Sequence, residues 1–134
     1  MTQTLLVIDD DGSVREVLRL LLAHRGYDVL LAASGEQGLA LAAERPVAGA
    51  LIDVHMSGMN GIEVCRRLRV LAATAGRSLP VWIMTGARTS QIVKAAAEAG
   101  AILVLGKPFN TAELYQLIEA QLGPAPRPQQ FGME

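Results

Sequence analysis

The sequence is poor in cysteine, in basic clusters and in long apolar runs, and each shortage closes off a class of function. Cys65 is the only cysteine, so no internal disulfide can form, and no charged-then-apolar leader precedes the first apolar run. Both features point to a reducing, cytoplasmic setting. Lys and Arg number 12 against 13 Asp and Glu, for a formal net charge of −1, and no basic block is longer than Arg66-Arg67. A chain of this kind offers no stripe for a nucleic acid backbone. No apolar run reaches the length of a membrane span. Nor is there an internal repeat, or any low-complexity tract beyond alanine-rich helical segments.

What the sequence does hold is enough apolar material for one core. Its 134 residues are 51% hydrophobic and 19% charged, the balance of a single folded domain. Five short runs, residues 4–8, 28–32, 49–52, 81–84 and 101–105, are nearly continuous in apolar side chains. That is the pattern of strands buried on both faces. Between them the spacing turns helical. Val14, Val17, Leu18, Leu21 and Leu22 mark a first helix, with Gly26 as its stop. Ser34 and Gln37 form the ends of a capping box for a second helix that runs to about Glu44, before Pro46. A third helix is expected from Gly61 to Arg69 or a little beyond, and a fourth from Ser90 to Ala99 with Gly100 as its stop. A fifth is expected from Asn110, with Glu113 in the capping-box position, to about Leu122.

Strict alternation of strand and helix with short connections implies an α/β fold: a three-layer, doubly wound, five-stranded parallel sheet with five helices on its two faces. The domain is expected to occupy residues 1–122. Residues 123–134, with three prolines and no helical period, read as a tail or linker stub.

In such a sheet the chemistry collects beyond the carboxyl ends of the strands. There the first strand ends in Asp9, Asp10 and Asp11, the third in Asp53, the fourth in Thr85, and the fifth in Lys107 followed by Pro108. Clustered carboxylates repel one another unless a cation neutralises them, and hard oxygen ligands favour magnesium or, failing it, manganese. A carboxylate nucleophile, a metal and a lysine to offset phosphoryl charge, and a hydroxyl to donate to a phosphoryl oxygen together fit phosphoryl transfer to aspartate. Asp11 falls one past the pair, where capping the first helix is its expected task. Cys65 is expected to be semi-buried on the third helix and Trp82 to lie in or near the core; neither is given a function.

The segments LLVIDDD, LIDVHMSGMNG, VWIMTG and LGKPF, in that order, resemble the receiver domain of two-component response regulators. The resemblance covers residues 4 to about 122 and implies the flavodoxin-like receiver fold. By position it implies that Asp53 is the phosphoacceptor, Asp9 and Asp10 the acidic pair at the metal, Thr85 the switch hydroxyl and Lys107 the phosphoryl-binding lysine. It makes the backbone carbonyl of His55 a further metal ligand and the Lys107–Pro108 peptide cis. It also implies a histidine kinase or histidine phosphotransfer protein as donor, docking near Val14 and Val17, and an unknown downstream protein reading the face of the fourth helix, fifth strand and fifth helix. A phosphorylation-dependent homodimer through that face is compatible with it. Such a protein is a switch rather than a turnover enzyme.

The sequence departs from the family in two places, and two further positions bear on phosphoryl lifetime. Ser57 stands where a proline is usual, and Val104, three residues before Lys107, where an aromatic that rotates inward as the switch threonine moves is often found. His55 and Ala87 occupy the two positions that influence phosphoryl lifetime. Ala87 has no group to orient a hydrolytic water, which leads us to expect slow self-dephosphorylation with His55 partly shielding the acyl phosphate.

Two other readings compete. DDDGS also resembles the first motif of haloacid-dehalogenase-type phosphatases, with Asp9 as nucleophile and Asp11 as acid/base, and Thr85 and Lys107 could pose as their later motifs. Those enzymes need a further aspartate pair, and no aspartate follows Asp53. The second is a receiver-like interaction module that is never phosphorylated, against which the complete set of acids, threonine and lysine argues.

Overall fold

Along the first strand, alternate side chains enter two different cores: Leu5 and Val7 pack on one side, Leu6 and Ile8 on the other. This is the two-residue period of a strand covered on both faces. A computed structural model describes residues 2–125 and shows how the rest follows from that pattern. The order is β1 (Thr4–Ile8), α1 (Gly12–His24), β2 (Asp28–Ala32), α2 (Gly35–Glu44), β3 (Gly49–Asp53), α3 (Gly61–Thr74), β4 (Val81–Thr85), α4 (Ser90–Glu98), β5 (Leu103–Gly106) and α5 (Thr111–Leu122). All strand pairs are parallel, in the spatial order β2-β1-β3-β4-β5.

On one face α1 and α5 cover Leu5, Val7, Leu51, Trp82 and Met84 with Leu18, Leu22, Leu114 and Ile118. On the other, α2, α3 and α4 cover Leu6, Ile8, Ile52 and Ile83 with Val64, Leu68 and Ala96. Each large side chain buried in this way contributes about 1.5–3 kcal/mol. Trp82 is fully buried, as expected of a core residue. Tyr115 clasps α5 to α1: its hydroxyl donates to the Leu21 carbonyl at 2.8 Å, and the Arg25 guanidinium sits 4.0 Å above its ring.

The elements match the sequence reading, with four adjustments. The fifth strand starts at Leu103, not at Ala101, because α4 ends in a Schellman motif. Gly100 at φ 93° donates to Ala97, and the Ala101 N–H is used by the Ala96 carbonyl at 2.9 Å. The third helix continues past Arg69 to Thr74, burying Ala72 on the way. Gln37 does reach back at the start of α2, but its Oε1 accepts from Ala33 N at 2.7 Å, one residue earlier than in a regular capping box. Cys65 is fully buried rather than semi-buried, with Sγ 3.7 Å from the Ala99 carbonyl, and burial pushes its thiol pKa up to about 11. The proposed tail lies almost wholly outside the described residues.

One glycine is required by space alone. A Cβ on Gly61 would stand 2.0 Å from the Asp53 carbonyl oxygen and 2.8 Å from its carbon, both backbone atoms at the end of β3. Only glycine lets α3 start this close to the strand. Gly61→Ala is therefore expected to cost about 2–3 kcal/mol in unfolding free energy, read by urea denaturation, since the clash cannot be relieved by a side-chain rotation.

Candidate functional site

The strand order reverses between β1 and β3, so a crevice opens beyond their carboxyl ends. Asp53 is the last residue of β3 and Asp9 directly follows β1; both are buried, while Asp10 is exposed at the rim. One carboxylate oxygen from each of the three lies within 4.8 Å of the others. At that separation, and with an effective dielectric of about 20, each ionised pair repels by roughly 3–4 kcal/mol.

Lys107, just past β5, answers part of this repulsion. Its Nζ donates to Asp9 Oδ2 at 2.7 Å and to Asp53 Oδ1 at 3.0 Å. The base of its side chain is held by its own N–H, which donates to the Thr85 carbonyl at 2.7 Å, and the Lys107–Pro108 peptide is cis. Burial works against the lysine's charge, but the two carboxylate hydrogen bonds more than offset it and raise its pKa. Burial pushes the Asp53 carboxyl pKa up; the Lys107 hydrogen bond opposes this, and the nearby Asp9 and Asp10 charges add to it. With all three acids ionised the cluster would carry three negative charges against one ammonium.

Asp9 is saturated. Its N–H donates to Ala32, Oδ1 accepts from Asp11 N at 2.9 Å, Oδ2 accepts from Lys107, and its carbonyl accepts from Arg15. Asp10 has the more open carboxylate, reached by the Ser57 N–H at 3.4 Å. The serine that replaces a proline thus supplies a donor that proline would lack. Hard oxygen donors, two buried and one facing outward, suit a divalent cation of the magnesium or manganese kind: Asp10 offers an open carboxylate and Asp53 an oxygen, Oδ2, that takes no hydrogen bond among those described, with Asp9 alongside.

Thr85 closes the crevice as the last residue of β4. It is fully buried, and its hydroxyl is turned to its own loop, donating to the Ala87 carbonyl at 3.3 Å and accepting from Ala87 N at 3.1 Å. His55 and Ala87 are exposed two residues beyond Asp53 and Thr85. Asp11 takes the capping role expected of it: Oδ1 accepts from both Ser13 N and Ser13 Oγ, which lowers its pKa, and it stands outside the group of acids formed by Asp9, Asp10 and Asp53. A phosphatase reading needs Asp11 facing the same substrate as Asp9, and this geometry does not provide that.

The family model for the response regulator receiver domain matches residues 5–119. The chain belongs to this family. Among receiver relatives, the response regulator MprA of Mycolicibacterium vanbaalenii is 41% identical over 123 residues, covering 91% of this chain and 51% of that protein. The sensory/regulatory protein RpfC of Xanthomonas campestris is 37% identical over 110 residues, covering 82% of this chain and 15% of that one. The chain thus spans about half the length of the first of these curated relatives and a small part of the second. Solved receiver structures agree on the fold. Chemotaxis protein CheY4 of Vibrio cholerae superposes with a TM-score of 0.83 at 26% identity, covering 90% of this chain and 99% of that one. A receiver domain protein of Methanospirillum hungatei gives 0.84 at 25%, covering 91% and 94%.

Asp9, Asp10, Asp53 and Lys107 meet in one crevice of this receiver, and Thr85 borders it. The sequence reading missed Arg15, Gly61 and the Ser57 N–H. Arg15 and Ser57 act across connections whose folding no spacing reveals, and Gly61 was read only as the start of a helix.

Proposed function

We propose that this receiver accepts a phosphoryl group on Asp53 from a phosphohistidine, in a histidine kinase or a histidine phosphotransfer protein, and that the added charge switches a partner-binding face. The observation that carries this reading is the Lys107 ammonium bridging Asp9 and Asp53 beside the open Asp10 carboxylate.

An Asp53 carboxylate oxygen attacks phosphorus, the P–O bond forms, the P–N bond to the donor imidazole breaks, and the imidazole keeps the electron pair. Lys107 offsets the charge on the transferring group from its present position. A divalent cation held by Asp10 and Asp53, with Asp9 alongside and the His55 carbonyl as a further ligand, would supply the remaining positive charge. Thr85 must release Ala87 to donate to a phosphoryl oxygen, and that rearrangement would draw on α4 and β5. The chain is then a switch and not a turnover enzyme.

The donor would dock where Val14, Val17, Pro108 and Phe109 line an apolar hollow beside Lys107. The downstream partner, or a second copy of the phosphorylated chain, would read the α4-β5-α5 face. We assign residues 1–122 to the receiver, 123–134 to a tail or linker, and the setting to the cytoplasm. Among the described residues no helix is long and apolar enough to cross a membrane.

Incubation with magnesium and acetyl phosphate, read by intact-mass spectrometry, is expected to give one phosphoryl adduct on the wild type and none on Asp53→Asn. No wild-type adduct would favour a phosphorylation-independent module. An adduct that survives Asp53→Asn and needs Asp9 would revive the phosphatase.

A further inference from the structure

Arg15 lies on the first turn of α1, half-buried, and its Nη1 donates to the backbone carbonyl of Asp9 at 2.7 Å. This is a short, charge-assisted hydrogen bond to a main-chain oxygen, not an ion pair with the nearby acids. Its Nη2 lies over Gly12, where an added Cβ would meet it at 3.4 Å. The helix start therefore leaves room for the guanidinium to fold back on the turn.

The consequence reaches Asp10 through the peptide bond. The Asp9 carbonyl and the Asp10 N–H belong to one planar unit, so fixing that oxygen fixes the plane from which the Asp10 side chain departs. The other three polar atoms of Asp9 are tied to Ala32, to Asp11 and to Lys107, and Arg15 completes the set. Asp10 itself is exposed and otherwise reached only by the longer Ser57 contact among the hydrogen bonds described. We propose that Arg15 is a positioning residue for the divalent cation: by holding the Asp9–Asp10 peptide it keeps the Asp10 carboxylate in reach of Asp53. The proposal rests on the reading of this crevice as a cation site.

A second cation so close would by charge alone repel a metal ion, so the two effects of Arg15 have opposite signs. Pre-organisation predicts weaker metal binding when Arg15 is removed; simple electrostatics predicts tighter binding. Supporting groups of this kind change metal affinity by about 10–100-fold.

The test titrates the full chain with Mg²⁺, and with Mn²⁺ followed by electron paramagnetic resonance, with no phosphoryl donor present. Arg15→Met is expected to bind at least about tenfold more weakly than wild type, with faster hydrogen exchange at the Asp10 and Asp11 amides. Arg15→Lys, which keeps the charge but loses the guanidinium's reach, is expected to fall between the two. Affinity of Arg15→Met equal to or above that of wild type overturns the proposal. Should that variant fail to fold, Arg15→Lys decides it, since wild-type affinity there is equally fatal. A wild type that binds neither ion, with Asp10→Asn indistinguishable from it, overturns the cation site itself. That outcome differs from a site that binds without help from Arg15.

Discussion

Lys107→Met is expected to fold less stably than wild type by about 2–3 kcal/mol at pH 7, and to take up phosphoryl groups from acetyl phosphate about 100-fold more slowly. Among the described residues the ammonium is the one cation that touches both buried carboxylates. Without it Asp9 and Asp53 face each other uncompensated, and breaking a buried pair from one side leaves a poorly hydrated charge. The full cost of 3–5 kcal/mol seen for such losses is reduced here because Lys107 is 21% exposed, so some solvent reaches the gap. The deficit should be smaller at pH 5 than at pH 7, because burial already raises the Asp53 carboxyl pKa and losing the ammonium raises it further, and it should shrink on adding magnesium, which replaces the missing charge. Guanidinium chloride unfolding at the two pH values, with and without Mg²⁺, measures the first effect, and a mass-spectrometric time course measures the second. Unchanged stability would mean that the acids are already neutral or screened in the native state.

Asp53→Asn is expected to do the opposite and stabilise the fold, by about 1 kcal/mol or roughly 3–5 °C in melting temperature at pH 7 without metal. The sign follows from the Asp53 carboxyl, raised by burial, with Lys107 opposing and the Asp9 and Asp10 charges adding to the shift. A carboxyl raised on folding binds its proton more tightly in the native state than in the unfolded chain. Its contribution to stability is therefore fully present below the unfolded value of 3.8 and is lost as pH rises through the raised native value. The variant removes that loss, so its advantage over wild type should be small near pH 4 and grow toward neutrality. Lys107 keeps Asp9 as a partner in the variant, which limits the compensating cost. Magnesium should reverse the ranking, because only the wild type presents the full acidic set. Thermal melts across pH, with and without Mg²⁺, give both comparisons, and a variant less stable than wild type at pH 7 without metal would show that the Lys107 contact outweighs the repulsion.

The conflict between charge and burial behind both substitutions is also what made the sequence legible. The strands were legible because residues such as Leu5, Leu6, Val7 and Ile8 are buried on both faces, and a short continuous apolar run has few other uses. The acids at Asp9, Asp10 and Asp53 stood out because carboxylates beside such runs conflict with burial, and that conflict marks a function. Lys107 gained meaning only from them.

Other features were beyond the reach of spacing. Ala101 looked like strand because it is apolar, but its N–H is claimed by the turn that ends α4. Cys65 looked half-exposed by position on its helix, yet it faces the Ala99 carbonyl across a packed interface. Arg15 carries no signal in the sequence that separates it from the other arginines. Its contact is to a main-chain oxygen six residues earlier, and only the tightness of the β1–α1 turn makes the two neighbours. The orientation of the Thr85 hydroxyl toward Ala87 depends on a side-chain rotation that sequence does not encode.

The central claim is that Asp53, and no other acid in the crevice, carries the phosphoryl group. The most direct test treats the protein with acetyl phosphate and Mg²⁺, reduces it with borohydride, and maps the product by peptide mass spectrometry. Borohydride converts an aspartyl phosphate to homoserine with release of phosphate and leaves free carboxylates alone. The account predicts homoserine at position 53 and aspartate at positions 9 and 10. Homoserine at position 9 or 10, or none in the crevice despite a phosphoryl adduct on the intact chain, would contradict it.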